Sequence, residues 1–334
     1  MASSWDRMVI GGVLLTAGVL GCGIEPLQRD GEEATAAQTV PARPPSPPRF
    51  ELSQAIIPKD EIRNGGPGKD GIPALINPRT IAAEAAMTLK PQDRVVGVLV
   101  NGESRAYPVS ILTWHEVIND TVGGQPVAVT YCPLCDSAAV FNRNTSAGVK
   151  EFGVSGLLYN SNVLMFDRGG QPEGLWSQLG AKAVSGPAAP LSLETLPVEL
   201  TTWEDWRARH PQTVVLSART GFPRNYRHNP YAGYFDRPGL MFPVRPLSDR
   251  LPAKAKVLGV WTREGRATAY PLSAFSHENR AREFKDRVGD RSVTLHYDPK
   301  AKGLRIVAAD AGVSWMYSLW FAWYAFHPKT IVFE

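Results

Sequence analysis

The sequence predicts a β-rich α+β fold, and three observations carry that prediction. First, 28 prolines and 30 glycines in 334 residues interrupt the chain too often for long helices and favour short elements joined by turns. Second, the apolar runs are short and β-branched, as in Arg94-Val-Val-Gly-Val-Leu-Val100 and Val127-Ala-Val-Thr-Tyr131, and Val127 and Val129 alternate with Ala128 and Thr130 as in a half-buried strand. Third, one order of parts recurs. A hairpin, a short helix and a further strand run from Arg94 to Pro133 and again from Lys256 to Pro299, so the fold is expected to hold two diverged copies of a hairpin–helix–strand unit, the first with a large insertion.

Composition narrows the function. With 43% hydrophobic and 20% charged residues the chain can bury a sizeable core. The net charge of +4 arises from interleaved acids and bases and not from a basic stripe, so no nucleic-acid partner is expected. At the N-terminus Arg7 precedes the apolar stretch Met8 to Leu20, which is too short and glycine-rich to span a bilayer but suits a signal-peptide core. Val19-Leu-Gly-Cys22 then resembles the lipobox of bacterial lipoproteins. Residues 1–21 are therefore expected to be a signal peptide, Cys22 the lipidated residue, and 22–50, with its run Pro41-Ala-Arg-Pro-Pro-Ser-Pro-Pro48, a lipid-anchored disordered tether. This predicts an extracytoplasmic protein anchored to a bacterial membrane.

The folded part divides into a first repeat with the insertion, residues 51–250, and a second repeat, 251–334. Asn64 to Pro73 is a turn-rich loop without the lysine-serine or lysine-threonine pair of a phosphate-binding loop. Thr80 is placed to cap a helix through Met87. Asn101-Gly102 marks a hairpin, and a short helix from Ser110 to Asn119 would carry His115 and Glu116. After the cysteine stretch, Tyr159-Asn-Ser-Asn162 reads as a tight polar turn between two strands, and its polar side chains could line a pocket. Trp203 to Thr213 matches Trp320 to Thr330 in the spacing of both tryptophans, the histidine, the proline and the threonine. Each helix should end before His-Pro. The link from Ser217 to Pro246 is expected to be irregular and to pack between the copies.

Features present in both copies are expected to be scaffold, which covers Tyr107-Pro108, Trp203, Trp206 and His210-Pro211. Features in one copy only are the better site candidates. Cys132 and Cys135 head that group, because Asp298 stands at the place of the first and Lys300 and Ala301 flank the place of the second. The run Val127-Ala-Val-Thr-Tyr-Cys-Pro-Leu-Cys-Asp136 should form a strand ending in a tight turn, with Pro133 at its second position and a further strand from Ser137 to Phe141. This differs from a thioredoxin-like pair, which opens a helix.

The chain resembles the bacterial and archaeal family known as domain of unknown function 3179. The resemblance rests on Asp70-Gly-Ile-Pro-Ala-Leu75, Arg105-Ala-Tyr-Pro108, His115-Glu116 with Asn119-Asp120, and Tyr131-Cys-Pro-Leu-Cys135. It continues in Gly153-Val-Ser-Gly156, Leu158-Tyr-Asn-Ser-Asn162, Asp167-Arg168, Leu175-Trp-Ser-Gln178, and Trp206 with His210-Pro-x-Thr213. It implies secretion or lipid anchoring. Because some members carry selenocysteine in the cysteine motif, it also implies redox chemistry, although the family has no assigned activity.

Three chemistries fit the pair. Cys132 and Cys135 could cycle between dithiol and disulfide against a small-molecule or protein thiol/disulfide substrate, with His115 as base and no cofactor required. They could instead hold copper or zinc, with Met165 or His115 added. A static disulfide beside a ligand pocket is the third reading, with Glu116, Tyr159, Asn160, Asn162 and Arg168 as the binding residues. No Gly-x-Ser-x-Gly elbow, His-Glu-x-x-His helix or dinucleotide fingerprint occurs, so hydrolase and dehydrogenase readings have no support.

Overall fold

The computed structural model describes residues 50–334. The expected signal peptide, Cys22 and the tether as far as residue 49 lie outside the described residues. Among the described residues strands dominate, and four short α-helices interrupt them: α1 (Val109–His115), α2 (Trp203–Arg209), α3 (Ala232–Phe235) and α4 (Trp320–Phe326). Among the described residues no helix is long and apolar enough to cross a membrane.

Strand Arg94–Val100 folds back onto Glu103–Pro108 through Asn101 and Gly102. Both turn residues have positive φ, 49° and 83°, as the hairpin turn predicted for Asn-Gly requires. Strand Glu199–Thr202 pairs antiparallel on one side, α2 crosses over, and Val214–Leu216 pairs parallel on the other. The same path recurs near the C-terminus. Strands Val313–Leu319, Lys256–Thr262, Ala267–Pro271 and Ile331–Val332 lie in the corresponding order, with α4 as the crossover.

The reason for the matched tryptophans is now visible. Each lies on a glycine of the central strand: a Cβ on Gly97 would stand 2.3 Å from Trp206, and one on Gly259 would stand 2.3 Å from Trp323. The two indole N–H groups donate to Thr213 Oγ1 at 3.0 Å and Thr330 Oγ1 at 3.1 Å. His210 and His327 lie against those indoles, with ring centroids 4.0 and 3.9 Å away. His210 therefore packs on an indole, as His327 does. Tyr107 and Tyr270 match as well, donating to Asp120 at 2.8 Å and Asp286 at 2.9 Å.

Each four-stranded group has a three-stranded meander with it in sequence. Val117–Val122, Gln125–Cys132 and Ser137–Asn142 form the first, and Arg282–Val288, Arg291–Asp298 and Gly303–Ala309 the second. The first meander does not join its own four-stranded group. It pairs through Ala138 with Tyr317 of the other, so one nine-stranded sheet runs through both halves of the sequence. The insertion forms a separate sheet around the hairpin Phe152–Tyr159 and Asn162–Asp167. Asn119 ties it to the meander, accepting from Phe152 N–H and donating to Phe152 C=O, both at 2.8 Å.

Three expected helices are corrected. Thr80–Ala82 is an edge strand paired with Val214–Leu216, and only Ala83–Ala85 turns, as a 3-10 element. A short stretch nucleates a helix poorly, and the sheet edge offers Thr80 and Ile81 ladder partners instead. The helix expected to run to Asn119 stops at His115, because Glu116 takes a positive φ of 56° and Val117-Ile118 enter the sheet. The equivalent helix near His277 and Glu278 shrinks to a 3-10 turn, Leu272–Phe275.

Candidate functional site

The Cys-Pro-Leu-Cys turn joins two paired strands, and Cys132 stands opposite Ser137. Cys135 N–H closes the turn on Cys132 C=O at 3.2 Å. Both cysteines are free thiols, 1% and 0% exposed. Their floor comes from the insertion. At its tip Asn160 and Ser161 both have positive φ, 50° and 61°, the two-residue turn that a tight hairpin needs. That turn aims Ser161 C=O at the sulfurs, 3.1 Å from Cys135 Sγ and 3.9 Å from Cys132 Sγ.

A buried polar network holds this floor in register. Ser137 Oγ and Asn162 Nδ2 both donate to Gln178 Oε1, at 2.6 and 2.8 Å, while Gln178 Nε2 donates to Thr130 Oγ1 at 3.0 Å. Leu179 N–H donates to Asn162 Oδ1 at 3.0 Å. Each amide is thus anchored at both ends, which a buried polar side chain requires. The network leaves the hydroxyl of Ser161 unpartnered.

The two sulfurs are electrostatically unequal. Burial pushes the Cys132 thiol up, but the Cys135 thiol and the backbone N–H groups of Cys135, Val163 and Leu134 outweigh it and hold Cys132 below the ordinary thiol value. Burial pushes Cys135 well above that value, and its bond to Cys132 and the charge there push it further. The Ser161 carbonyl can only accept, so it favours the protonated form of Cys135. Cys132 is therefore the more readily ionised of the pair and Cys135 the less.

Glu116 supplies an acid. It caps α1 at φ 56° and ψ −35°, a strained conformation that costs on the order of 1–3 kcal/mol in a non-glycine residue. Its N–H donates to Leu112 C=O at 2.7 Å and its C=O accepts from Tyr131 N–H at 2.8 Å. Burial first, and the negative charge of Cys132 second, push its carboxyl well above the usual range.

The link between the halves packs on the cluster that holds the sulfurs. Tyr231, Phe235, Leu240 and Phe242 pack on the apolar cluster that contains both cysteines, and Val244 is buried in it. Arg245 N–H donates to Asn160 Oδ1 at 2.9 Å, pinning the end of the link to the insertion turn. Burial raises the phenols of Tyr231 and Tyr234; Glu116 and Cys132 reinforce the first, Cys135 and Cys132 the second. The Tyr234 hydroxyl is buried without a partner.

His115 is placed differently from the expected base. Its Nδ1 lies 2.7 Å from Pro73 C=O, which can only accept, so Nδ1 carries the proton. Nε2, 2.7 Å from Tyr226 OH, then accepts from it. Both ring nitrogens are thus taken, and the imidazole fastens the link segment through Tyr226 and a ring contact with Phe222. Glu116, not His115, is the group whose ionisation is coupled to Cys132.

The remaining expected residues separate into those at the sulfurs and those away from them. Asn162 and the Asn160 turn form the floor. Tyr159 packs edge-on against Phe326, with centroids 5.7 Å apart. Arg168 forks onto Asp70 and lies over the Phe166 ring. Met165 is fully buried in the insertion sheet, opposite Val154 and Trp176. Among the described residues no three His, Cys, Asp or Glu side chains converge as a metal site would need. Sequence reasoning missed Thr130, Ser137, Gln178, Tyr231 and Tyr234 and had Ser161 only as part of the polar turn. Gln178 falls in a motif already singled out, whereas nothing in the irregular link pointed to its tyrosines.

Fold and site together define a β-rich α+β protein built around a buried, unequal pair of thiols. The family of proteins of unknown function DUF3179 matches residues 69–315, and the chain belongs to that family. No curated protein and no solved structure matches it.

Proposed function

We propose that this is an extracytoplasmic protein, held to a membrane by lipid on Cys22, whose Cys132 and Cys135 exchange two electrons with a small-molecule or protein disulfide. The observation that carries the reading is the unequal environment of two thiols in one turn: Ser161 C=O lies 3.1 Å from Cys135 Sγ and 3.9 Å from Cys132 Sγ, and their surroundings push the first up and the second down. A static staple needs no such inequality.

In the reduced protein the Cys132 thiolate attacks one sulfur of the substrate disulfide. The substrate S–S bond breaks, a mixed disulfide forms, and the departing thiolate takes a proton from the Glu116 carboxyl. Cys135 then returns its proton to Glu116 and attacks Cys132 Sγ, closing the intramolecular disulfide and releasing the second half of the substrate as thiolate. The substrate gains two electrons and the pair loses them, so an external dithiol must reduce the protein again. The link at 231–246 has to lift for the substrate to reach the sulfurs.

Two sulfurs held side by side also suit a soft, two-coordinate ion such as Cu(I). Zinc has less support, because it needs further ligands and the described residues supply no third. The matched strand orders, the Gly97–Trp206 and Gly259–Trp323 contacts and the two Tyr–Asp bonds support descent from a duplicated unit. On that reading residues 51–250 are the first copy and 251–334 the second, which lacks the cysteines.

Trapping tests the proposal. Cys135→Ser incubated with oxidised glutathione should accumulate a mixed disulfide on Cys132, located by peptide mass spectrometry. The native protein should instead pass to the Cys132–Cys135 disulfide, and Cys132→Ser should give neither. No adduct at Cys132 in Cys135→Ser together with no Cys132–Cys135 disulfide in the native protein would sink the redox reading. One retained equivalent of copper, lost in the double serine variant, would replace it with the metal reading.

A further inference from the structure

A second site lies on the other side of the cysteine turn. A cavity of about 210 Å³ opens where the two halves meet, and four charged residues line it: Arg94, Asp136, Lys256 and Lys302. They come in matched pairs. Arg94 and Lys256 each begin the central strand of their half. Asp136 and Lys302 each end the turn between the last two strands of a meander, directly before Ser137 and Gly303, with nearly identical φ values of 45° and 47°. Thr201 and Ser318, which also line the cavity, match in the same way, two residues before Trp203 and Trp320.

The pairing leaves a charge imbalance. Asp136 is buried and accepts from Arg94 Nη1 at 2.9 Å and from Tyr131 OH at 2.8 Å, while Lys256 Nζ lies 3.8 Å from its other oxygen. Lys302 has no ion pair among the described residues: where the first half carries a carboxylate, the second carries another cation. Three cations therefore face one carboxylate, and two positive charges are uncompensated. Arg94 in the first place, and burial in the second, push the Lys256 amine below its ordinary value, the mark of like charges crowded together.

We infer that this cavity binds a small dianionic ligand bearing carboxylate or phosphate oxygens, held among Arg94, Lys256 and Lys302. Two negative charges match the surplus. With Nη1 held by Asp136, Arg94 offers its remaining guanidinium N–H groups to an oxyanion, and the lysines act as point charges. Leu200, Val257, Leu304 and Tyr317 form the apolar part of the lining and suit a short carbon body. At about 30 Å³ per water the volume equals roughly seven waters, which admits a small organic acid but not a nucleotide. Neither sulfur lines the cavity, so the inference stands apart from the thiol chemistry.

Isothermal titration of the full chain with succinate, and separately with inorganic phosphate, at low ionic strength tests it. Neutral succinamide serves as the control. One saturable site for a dianion and none for succinamide is the expected result. Tighter succinate would assign a carboxylate with a carbon body, and tighter phosphate would assign a phosphate group. In the Lys256→Gln/Lys302→Gln double variant the affinity should fall at least tenfold with the circular dichroism spectrum unchanged; the Lys256 side chain is 53% exposed, so its change leaves the core intact. No saturable binding of either dianion, or equal affinity in the double variant, would overturn the inference.

Discussion

Replacing Cys135 by alanine tests the inequality of the thiols at its source. The single S–H of Cys135 donates to Ser161 C=O at 3.1 Å and, shared with Cys132, helps hold that thiol below its ordinary value. A hydrogen bond to a charged group contributes about 1.5–3 kcal/mol, and each 1.36 kcal/mol is about a tenfold change in ionisation. Ser161 C=O competes for the same proton, so the low end of that range applies: losing this donor should move the Cys132 ionisation constant by about tenfold. Cys135→Ser keeps an O–H donor at the same place and should move it far less. The assay is the pH dependence of Cys132 alkylation by iodoacetamide, read from the labelled peptide. The midpoint is the quantity to compare, because opening of the link multiplies the rate at every pH by the same factor. It should move up in Cys135→Ala and stay near the native value in Cys135→Ser. An unmoved midpoint in the alanine variant, or equal movement in both, would refute the reasoning.

Two further outcomes follow from the same geometry. The Glu116 carboxyl is raised in the folded protein, so its contribution to stability is complete below the ordinary carboxylate range and is lost as pH rises toward its folded value. Glu116→Gln should therefore be more stable than the native protein at pH 7, with the gap closing toward pH 4 by up to about 1.4 kcal/mol per pH unit; a pH-independent gap in urea denaturation would contradict a raised carboxyl. Gly97→Ala places a Cβ 2.3 Å from Trp206, where ordinary contact begins at 3.4 Å. Overpacking of this kind costs about 1–3 kcal/mol, and Gly259→Ala against Trp323 should cost a similar amount. A loss below about 0.5 kcal/mol in either variant would show that the tryptophan yields freely.

Much of the local structure was legible before the fold. Asn101-Gly102, the Cys-Pro-Leu-Cys turn and Asn160-Ser161 each carry their own turn chemistry, and all three turn where the residues predict. The helices ending ahead of His210 and His327 were legible for the same reason, since proline constrains the residue before it. The helix expected through Asn119 failed because a competing partner lay elsewhere. Val117 and Ile118 pair with Thr130 and Val129, and ladder bonds outweighed the weak preference of a few residues for helix. His115 was expected as a base one strand away from the sulfurs; the structure shows both its ring nitrogens engaged, by Pro73 C=O and Tyr226 OH, which a local reading of the helix could not foresee.

The sequence alone determined that two sulfurs would share one tight turn, that this turn would join two strands, and that the second half of the chain would lack the pair. Those features depend on backbone preferences acting over a few residues. Only the tertiary structure decided what surrounds the sulfurs: Ser161 from the insertion, Glu116 from the end of α1, and tyrosines from the link. The ionisation of a buried group depends on distance through space and on exclusion of water, and neither can be read from spacing along the chain.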